Sequence, residues 1–341
     1  MSTDTVEPAA TTEMVKMNGM QAINAALMEA MEADPKVLVL GEDVADREGG
    51  GVIGVTRGLS TKFGDLRVRS TPIAEQAIIG AAIGAAMGGY KPVAEIMLMN
   101  FTTVAMDMIV NHAAKLRFMS GGQSQVPLVI RTLTGAGNQT AGQHADFYEA
   151  WFCHTAGIKV VIPWTPADFK GLYLSAIQDP DPVMIIESGK TLFVPMDTPV
   201  NQGPIPLGKA QVVQEGSDVT IVSYGQMMFT VMQAVAELAE AGISAEVINL
   251  RTISPWDKEA VLASAEKTGR LLIVHEAGKN FGPGAEIAAT VQEALFGKLK
   301  APVGRLGAPY CAVPFAKKLE DAYLVQPPAV VAEAKKLCAQ G

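Results

Sequence analysis

Apolar residues fall into two rhythms along this chain. Short, nearly continuous runs read as strands of a covered parallel sheet: Lys36–Leu40, Pro92–Leu98, Val126–Arg131, Ile158–Ile162 and Val183–Glu187, with Leu66–Arg69 a further short strand leading into Thr71. Between them lie stretches with the 3.6-residue period of helices, such as Asn18–Ala33, Thr56–Phe63, Thr103–Met119 and Pro166–Gln178. The same alternation returns with strands at Asp218–Tyr224, Ala245–Leu250, Arg270–His275 and Pro302–Leu306. Helices are expected at Thr230–Ala241, Asp257–Thr268, Gly284–Leu295 and Ala329–Ala339. Strand followed by helix, repeated, predicts an α/β fold whose two sheets are mainly parallel.

Residues 191–208 are rich in Pro and Gly and lack either rhythm, so they read as a linker. This gives an N-terminal tail over 1–16, one α/β domain over 17–190 and a second over 209–341. The tail has acids and threonines but neither a basic start nor a long apolar run, and so does not read as a signal peptide.

One helical stretch stands apart. After Thr71-Pro72, the segment to Gly89 carries no charge beyond Glu75, and Gly80, Gly84 and Gly88 recur on one face. Such a face admits another backbone, either inside one core or across a subunit boundary. The uncharged run is short of the roughly 20 residues that span a bilayer. Glu75 sits at the mouth of this apolar segment. It reads either as an acid favoured by the helix N-terminus or as a carboxyl whose burial suits it to proton transfer.

Composition narrows the classes. Of 341 residues 49% are hydrophobic and 18% charged, which points to large buried surfaces, and the net charge of −8 argues against a nucleic-acid partner. Three cysteines without paired spacing indicate neither a disulfide framework nor a zinc site, so a reducing, cytoplasmic compartment is expected. Gly135-Ala-Gly and Gly282-Pro-Gly start like dinucleotide fingerprints but lack the third glycine. With no Walker loop either, the chain lacks the parts to bind a diphosphate alone.

The ordered set Thr71-Pro-Ile-Ala-Glu75, Asn100-Phe101, Arg131, Gly142-Gln-His144, Ala150-Trp-Phe, Gly157-Ile-Lys-Val-Val161 and Arg251-Thr-Ile-Ser-Pro255 resembles a known family. It is similar to the β subunit of the thiamine-diphosphate-dependent E1 component of 2-oxo acid dehydrogenase complexes, over about 15–337. The acetoin and pyruvate branches look nearest.

The resemblance implies a pyrimidine-binding domain followed by a transketolase-type C-terminal domain. It implies an α2β2 heterotetramer, with the E1 α subunit holding Mg²⁺ and the diphosphate. The reaction would cleave or decarboxylate acetoin or a small 2-oxo acid and pass the acyl group to the lipoyl arm of the E2 acyltransferase. Glu75 would hydrogen-bond N1′ of the cofactor's aminopyrimidine, Phe101 would stack on that ring, and His144 would donate a proton during lipoyl acylation. Glu42 and Arg131 are cofactor-side or structural candidates, and His112 and His154 read as structural. Main-chain oxygens of Ala176, Asp179 and Asp181 match a segment that holds K⁺ in some members. Glu320-Asp321 reads as an acidic surface suited to E2.

Ala145 and Asp146 depart from the family pattern after the loop histidine; Asp146 could pair with His144 or face solvent. Two other readings stand beside this one: half of another split transketolase-like thiamine enzyme, and a non-catalytic scaffold subunit.

Overall fold

The computed structural model describes residues 13–340; most of the tail, 1–12, lies outside them. The first half comprises β1 (Met14–Met17), α1 (Gly19–Ala33), β2 (Val37–Gly41), α2 (Leu59–Phe63), β3 (Val68–Ser70) and α3 (Glu75–Met87). It continues through β4 (Lys91–Leu98), α4 (Leu116–Met119), β5 (Val129–Thr134), α5 (Glu149–Cys153), β6 (Lys159–Val161), α6 (Pro166–Gln178) and β7 (Val183–Ser188). Then come α7 (Gly189–Phe193), β8 (Met196–Pro199), β9 (Gln211–Gln214), β10 (Val219–Ser223), α8 (Met227–Glu240) and β11 (Ala245–Asn249). The chain ends with β12 (Thr252–Ser254), α9 (Lys258–Thr268), β13 (Leu271–Gly278), α10 (Pro283–Ala294), β14 (Gly304–Ala308), α11 (Lys317–Tyr323) and α12 (Pro327–Cys338).

The first sheet runs β12-β6-β7-β5-β4-β2-β3 and the second β14-β13-β10-β11-β9. Both are parallel apart from an antiparallel edge strand each, β12 and β9. β12 comes from the second half of the chain yet completes the first sheet, Thr252 lying opposite Val161. It follows Arg251, which donates to Asp168 (2.6 Å) and to Gln211 (2.7 Å). Asp168 also closes the capping box of α6 with Thr165, so one carboxylate caps a helix and ties the halves together.

Helices cover each sheet. α1 and α6 bury Ile23, Leu27, Phe169 and Tyr173 against one face of the first sheet. α8 and α12 bury Val231, Leu238, Val330 and Leu337 on the second. A third apolar cluster is continuous from α3 and β4 into β10, β11 and β13, so the domains share a core. Each large side chain fully buried there contributes about 1.5–3 kcal/mol.

Several segments differ from the sequence expectation, β12, α7 and α11 among them. The tail and linker hold β1 and β8, which pair antiparallel with Val15 opposite Thr198; four-residue strands are too short to show a period. The helix expected over Thr103–Met119 is broken into turns, with a π-helical stretch at Met108–Ala113 before the short α4. Its next turn packs on Gly157, where a Cβ would lie 1.9 Å from the Ala114 carbonyl oxygen. The face carrying Gly84 is open: a Cβ there would meet nothing in this chain within 4 Å. Gly80 on the same face meets Met108, a Cβ there lying 3.5 Å from its Sδ, so the open part of the glycine face is the end carrying Gly84 and Gly88.

Candidate active site

The parallel strands β3, β2, β4 and β5 end side by side, and the segments after their C-terminal ends carry Glu42, Glu75, Phe101 and His144. That is where open α/β sheets place ligands, and the order reverses between β2 and β4. Arg131 instead lies within β5, Ala176 in α6, and Asp179 and Asp181 between α6 and β7. Glu42 follows β2; Glu75 opens α3 just after β3; Asn100 and Phe101 lie in the turn after β4; His144 lies in the loop after β5.

Glu75 is 8% exposed at the first turn of α3, and its carboxylate has no hydrogen-bond or ion-pair partner among the described residues. Glu42 is buried to the same degree, 7% exposed. Burial, and then the negative charge of Glu75, push its carboxyl above the ordinary range. The two acids therefore feel each other at the same edge of the sheet. The Phe101 ring is half-buried and meets the His144 ring edge-on, centroids 5.6 Å apart. His144 itself is exposed.

The loop bearing His144 is held rather than free. Ala136 N–H donates to Glu276 Oε1 (2.7 Å) and Gly137 N–H to Glu320 Oε1 (2.7 Å). Gln226 Nε2 donates to the Ala136 carbonyl (3.0 Å). Thr134 Oγ1 closes the far end on the Asp146 carbonyl (2.6 Å). Glu320 is fully buried here, which corrects its reading as a surface acid for E2; Asp321 is exposed and paired with Lys317.

The neighbours of His144 are resolved too. Ala145 is buried against Ala136, Val313, Tyr323 and Leu324, an apolar contact that explains a small side chain there. Asp146 is half-buried and does not pair with His144. It accepts from Asn100 Nδ2 (2.8 Å) and Tyr148 OH (2.9 Å). Burial and the Asp146 bond raise the Tyr148 phenol to about 12.

Arg131 lies in the interior, away from solvent. It forms a bidentate pair with Glu187 (2.7 Å each) and a close pair with Glu95, and its Nε also donates to Tyr173 OH (3.2 Å). It is a structural residue of the sheet. Glu95, Glu187 and Tyr173 were not singled out from the sequence. For Glu95 and Glu187 a charge inside an apolar strand run was the available signal; Tyr173, on α6, offered none.

A second buried group sits at the domain junction. Tyr224 OH donates to Glu149 (2.9 Å) and its ring stacks near His275. Desolvation raises Glu149 to about 7 and Glu276 to about 8, and lowers His275 to about 4. Gly282 and Gly284 make room for the His275 ring: a Cβ on either would come within 2.7 Å of it. Those glycines, resembling a nucleotide fingerprint, serve packing.

The acids of the expected K⁺ segment already have cations. Lys159 Nζ lies 2.8 Å from Asp179 and 3.4 Å from Asp181, and Arg117 binds Asp181 at 2.8 Å. The Ala176 carbonyl accepts the Asp179 N–H (3.2 Å). His112 is exposed beside Asp107, with Nε2 3.7 Å from its carboxylate.

These two sheets and the edge they present are those of the transketolase class. Residues 15–193 match the transketolase pyrimidine-binding domain and 208–330 the transketolase C-terminal domain. The chain of a split-gene transketolase, solved as an inactive β4 tetramer, superposes with a TM-score of 0.77 over 96% of this chain and 99% of its own, at 24% identity; that likeness shows the fold.

Within the class, the chain belongs to the family of E1 β subunits of thiamine-diphosphate-dependent 2-oxo acid dehydrogenase complexes. It is 44% identical to the β subunit of acetoin:2,6-dichlorophenolindophenol oxidoreductase of Cupriavidus necator, over 92% of this chain and 95% of that one. It is 42% identical to the mitochondrial pyruvate dehydrogenase E1 β-1 subunit of Arabidopsis thaliana, over 95% and 90%. The 2-oxoisovalerate dehydrogenase β subunit of Bacillus subtilis is 40% identical, over 95% and 99%.

Proposed function

We propose that this chain is the β half of an E1 enzyme that cleaves acetoin or decarboxylates a small 2-oxo acid and passes the acyl group to a lipoyl arm. The observation that carries the reading is Glu75, a buried carboxyl with no partner of its own, at the edge where Phe101 and His144 meet. An aminopyrimidine fits these groups: Glu75 bonds N1′ and Phe101 offers a ring face.

Bound there, thiamine diphosphate supplies the carbon nucleophile and electron sink that the donor's cleavage needs. Glu75 moves a proton at N1′, and burial keeps that exchange away from bulk water. Glu42, the second buried acid at this edge, stands beside Glu75 on the cofactor side. His144, exposed at the mouth, delivers a proton to the departing lipoyl sulfur.

The diphosphate motif with its Mg²⁺-binding residues is missing from this sequence, so an α subunit supplies it in an α2β2 assembly. The open glycine face of α3 supports such a partner surface. The lipoyl acyltransferase E2 completes the complex. A cytoplasmic site accords with the described residues, where no helix is long and apolar enough to cross a membrane. K⁺ at Ala176, Asp179 and Asp181 rests on main-chain oxygens alone; a melting temperature equal in KCl and NaCl would remove it.

The decisive experiment pairs this chain with its α-type partner and offers acetoin, pyruvate and branched-chain 2-oxo acids, with a free lipoyl domain as acceptor. One of these donors is expected to acylate the lipoyl domain. Turnover without any acylation would favour a transketolase-like half, and no turnover a scaffold. Calorimetry on the chain alone is expected to find no micromolar affinity for thiamine diphosphate; finding it would overturn the shared site.

A further inference from the structure

The loop from Gly135 to His144 is bent in a way its own residues do not favour. Gln139 and Ala141 both take positive φ, +55° and +64°, where a Cβ is disfavoured. Such conformations persist only where the surroundings over-determine them. Here the surroundings come from the C-terminal domain, and chiefly from one short helix.

Glu320, midway along α11, is completely buried. Its Oε1 accepts the N–H groups of Gly137 (2.7 Å) and Gln139 (3.1 Å), and its Oε2 lies 3.2 Å from the latter. Backbone N–H groups converging in this way form a cradle that suits an anion. In this chain the anion is a side chain from 183 residues further on. One turn later, Tyr323 and Leu324 pack on Ala136 and on Ala145, the residue after His144. The helix thus grips the loop on both sides of the histidine. Between the grips, His144 N–H bonds the Ala141 carbonyl (3.1 Å), which passes the bend on to the imidazole.

We propose that Glu320 is a positioning residue: by binding the Gly137 and Gln139 N–H groups it sets the loop that presents His144 beside Phe101. The role assigned to His144 rests on the proposed function; the ordering of the loop does not. A contact serving only to staple the domains would stabilise the whole molecule and bias neither half of the reaction.

The test uses the full chain assembled with its α-type partner, as Glu320→Ala, Glu320→Gln and His144→Ala. Two rates are compared: reduction of an artificial electron acceptor, which reads donor cleavage, and acylation of a free lipoyl domain. Misplacing a reacting group by about 1 Å costs on the order of 10²-fold. Glu320→Ala is expected to lower acylation at least about tenfold while dye reduction falls by less than about threefold. Glu320→Gln, whose amide oxygen still accepts, should recover part of the loss. Adding Glu320→Ala to His144→Ala should lower acylation no further.

Hydrogen exchange of the segment 136–145 supplies the readout that needs no activity. It should quicken in Glu320→Ala while α3 and β4 exchange as before. Unchanged exchange, or two rates falling in equal proportion, overturns the inference. If the wild-type complex acylates no lipoyl domain, the functional reading fails and the exchange data alone decide on Glu320.

Discussion

Asn100 donates its side-chain amide to the Asp146 carboxylate at 2.8 Å, tying the turn after β4 to the loop after β5. The same amide contacts Tyr148 OH and the Gly142 carbonyl, each at 3.3 Å, and Asn100 Oδ1 accepts the Asp146 N–H at 3.3 Å. The rings of Phe101 and His144, each next to or near one end of this clasp, are brought together by it. Replacing Asn100 with Ala leaves Asp146 with Tyr148 as its remaining side-chain donor. We expect a loss of about 1–3 kcal/mol, the cost of an unmet polar group away from water. Asn100→Asp should cost more, since two carboxylates then face each other, and Asp146→Asn should relieve it. A thermal melt in which Asn100→Ala matches wild type would show that the clasp contributes nothing.

Glu75 gives a prediction of the opposite kind. Its carboxylate has no partner among the described residues, so Glu75→Gln removes no contact of the folded chain. Stability is expected not to fall, since the charge that opposes Glu42 is removed. Turnover of the assembled enzyme should fall about 10²–10⁴-fold, because an amide cannot exchange the N1′ proton. A variant that keeps a third or more of wild-type turnover would remove the acid–base role.

The fold was written plainly in the alternation of apolar runs and helical periods, and the ends of α6 fall where Thr165, Pro166 and Gln178 place them. What escaped was non-local. Nothing near Thr252 says that it pairs with β6, and a π-helical turn has no distinct polar rhythm. At the site, Glu75, Phe101 and His144 could be placed at strand ends because loops after parallel strands share one edge. Glu320 could not: beside Lys317, Lys318 and Asp321 it reads as a solvated charge, and only the loop folded over it makes it buried. Arg131 was visible as a charge in a strand, yet whether it met ligand or protein depended on Glu95 lying opposite in the neighbouring strand.

Arg131 shows what such an interior charge costs when disturbed. Burial pushes the Glu95 carboxyl up, with Arg131 opposing it and Glu187 adding to it. Removing the guanidinium in Arg131→Met leaves the buried Glu95 and Glu187 carboxyls without their counter-charge. A loss of about 3–5 kcal/mol is expected, with lower yield of folded chain. Combining it with Glu95→Gln and Glu187→Gln should restore much of the stability, as no buried charge then lacks a partner. If the triple variant is no more stable than Arg131→Met, shape rather than charge dominates.

The buried carboxyls at the junction set the pH dependence. Glu276 is raised to about 8 by desolvation, with the Ala136 N–H opposing and Glu149 adding; Glu149 is itself raised to about 7. In the unfolded chain both ionise near the ordinary 4.5. Between that value and about 8 the folded state therefore holds protons that the unfolded state has lost. Stability contributed by these groups is fully present below the ordinary carboxyl range and is lost as pH rises through 7 and 8. Each group can contribute a slope of at most about 1.4 kcal/mol per pH unit inside its window. Asp46 acts elsewhere: despite burial, hydrogen bonds from Thr61, Gly58 and Ser60 hold it near 2, so it matters only in stronger acid. Glu276→Gln keeps an acceptor for Ala136 N–H and carries no charge at any pH. The wild-type melting temperature is expected to fall from pH 5 to pH 8, and the variant's to fall less, so that their order favours the variant at the upper end. Parallel curves for the two proteins across that range would show that Glu276 does not carry the proton assigned to it.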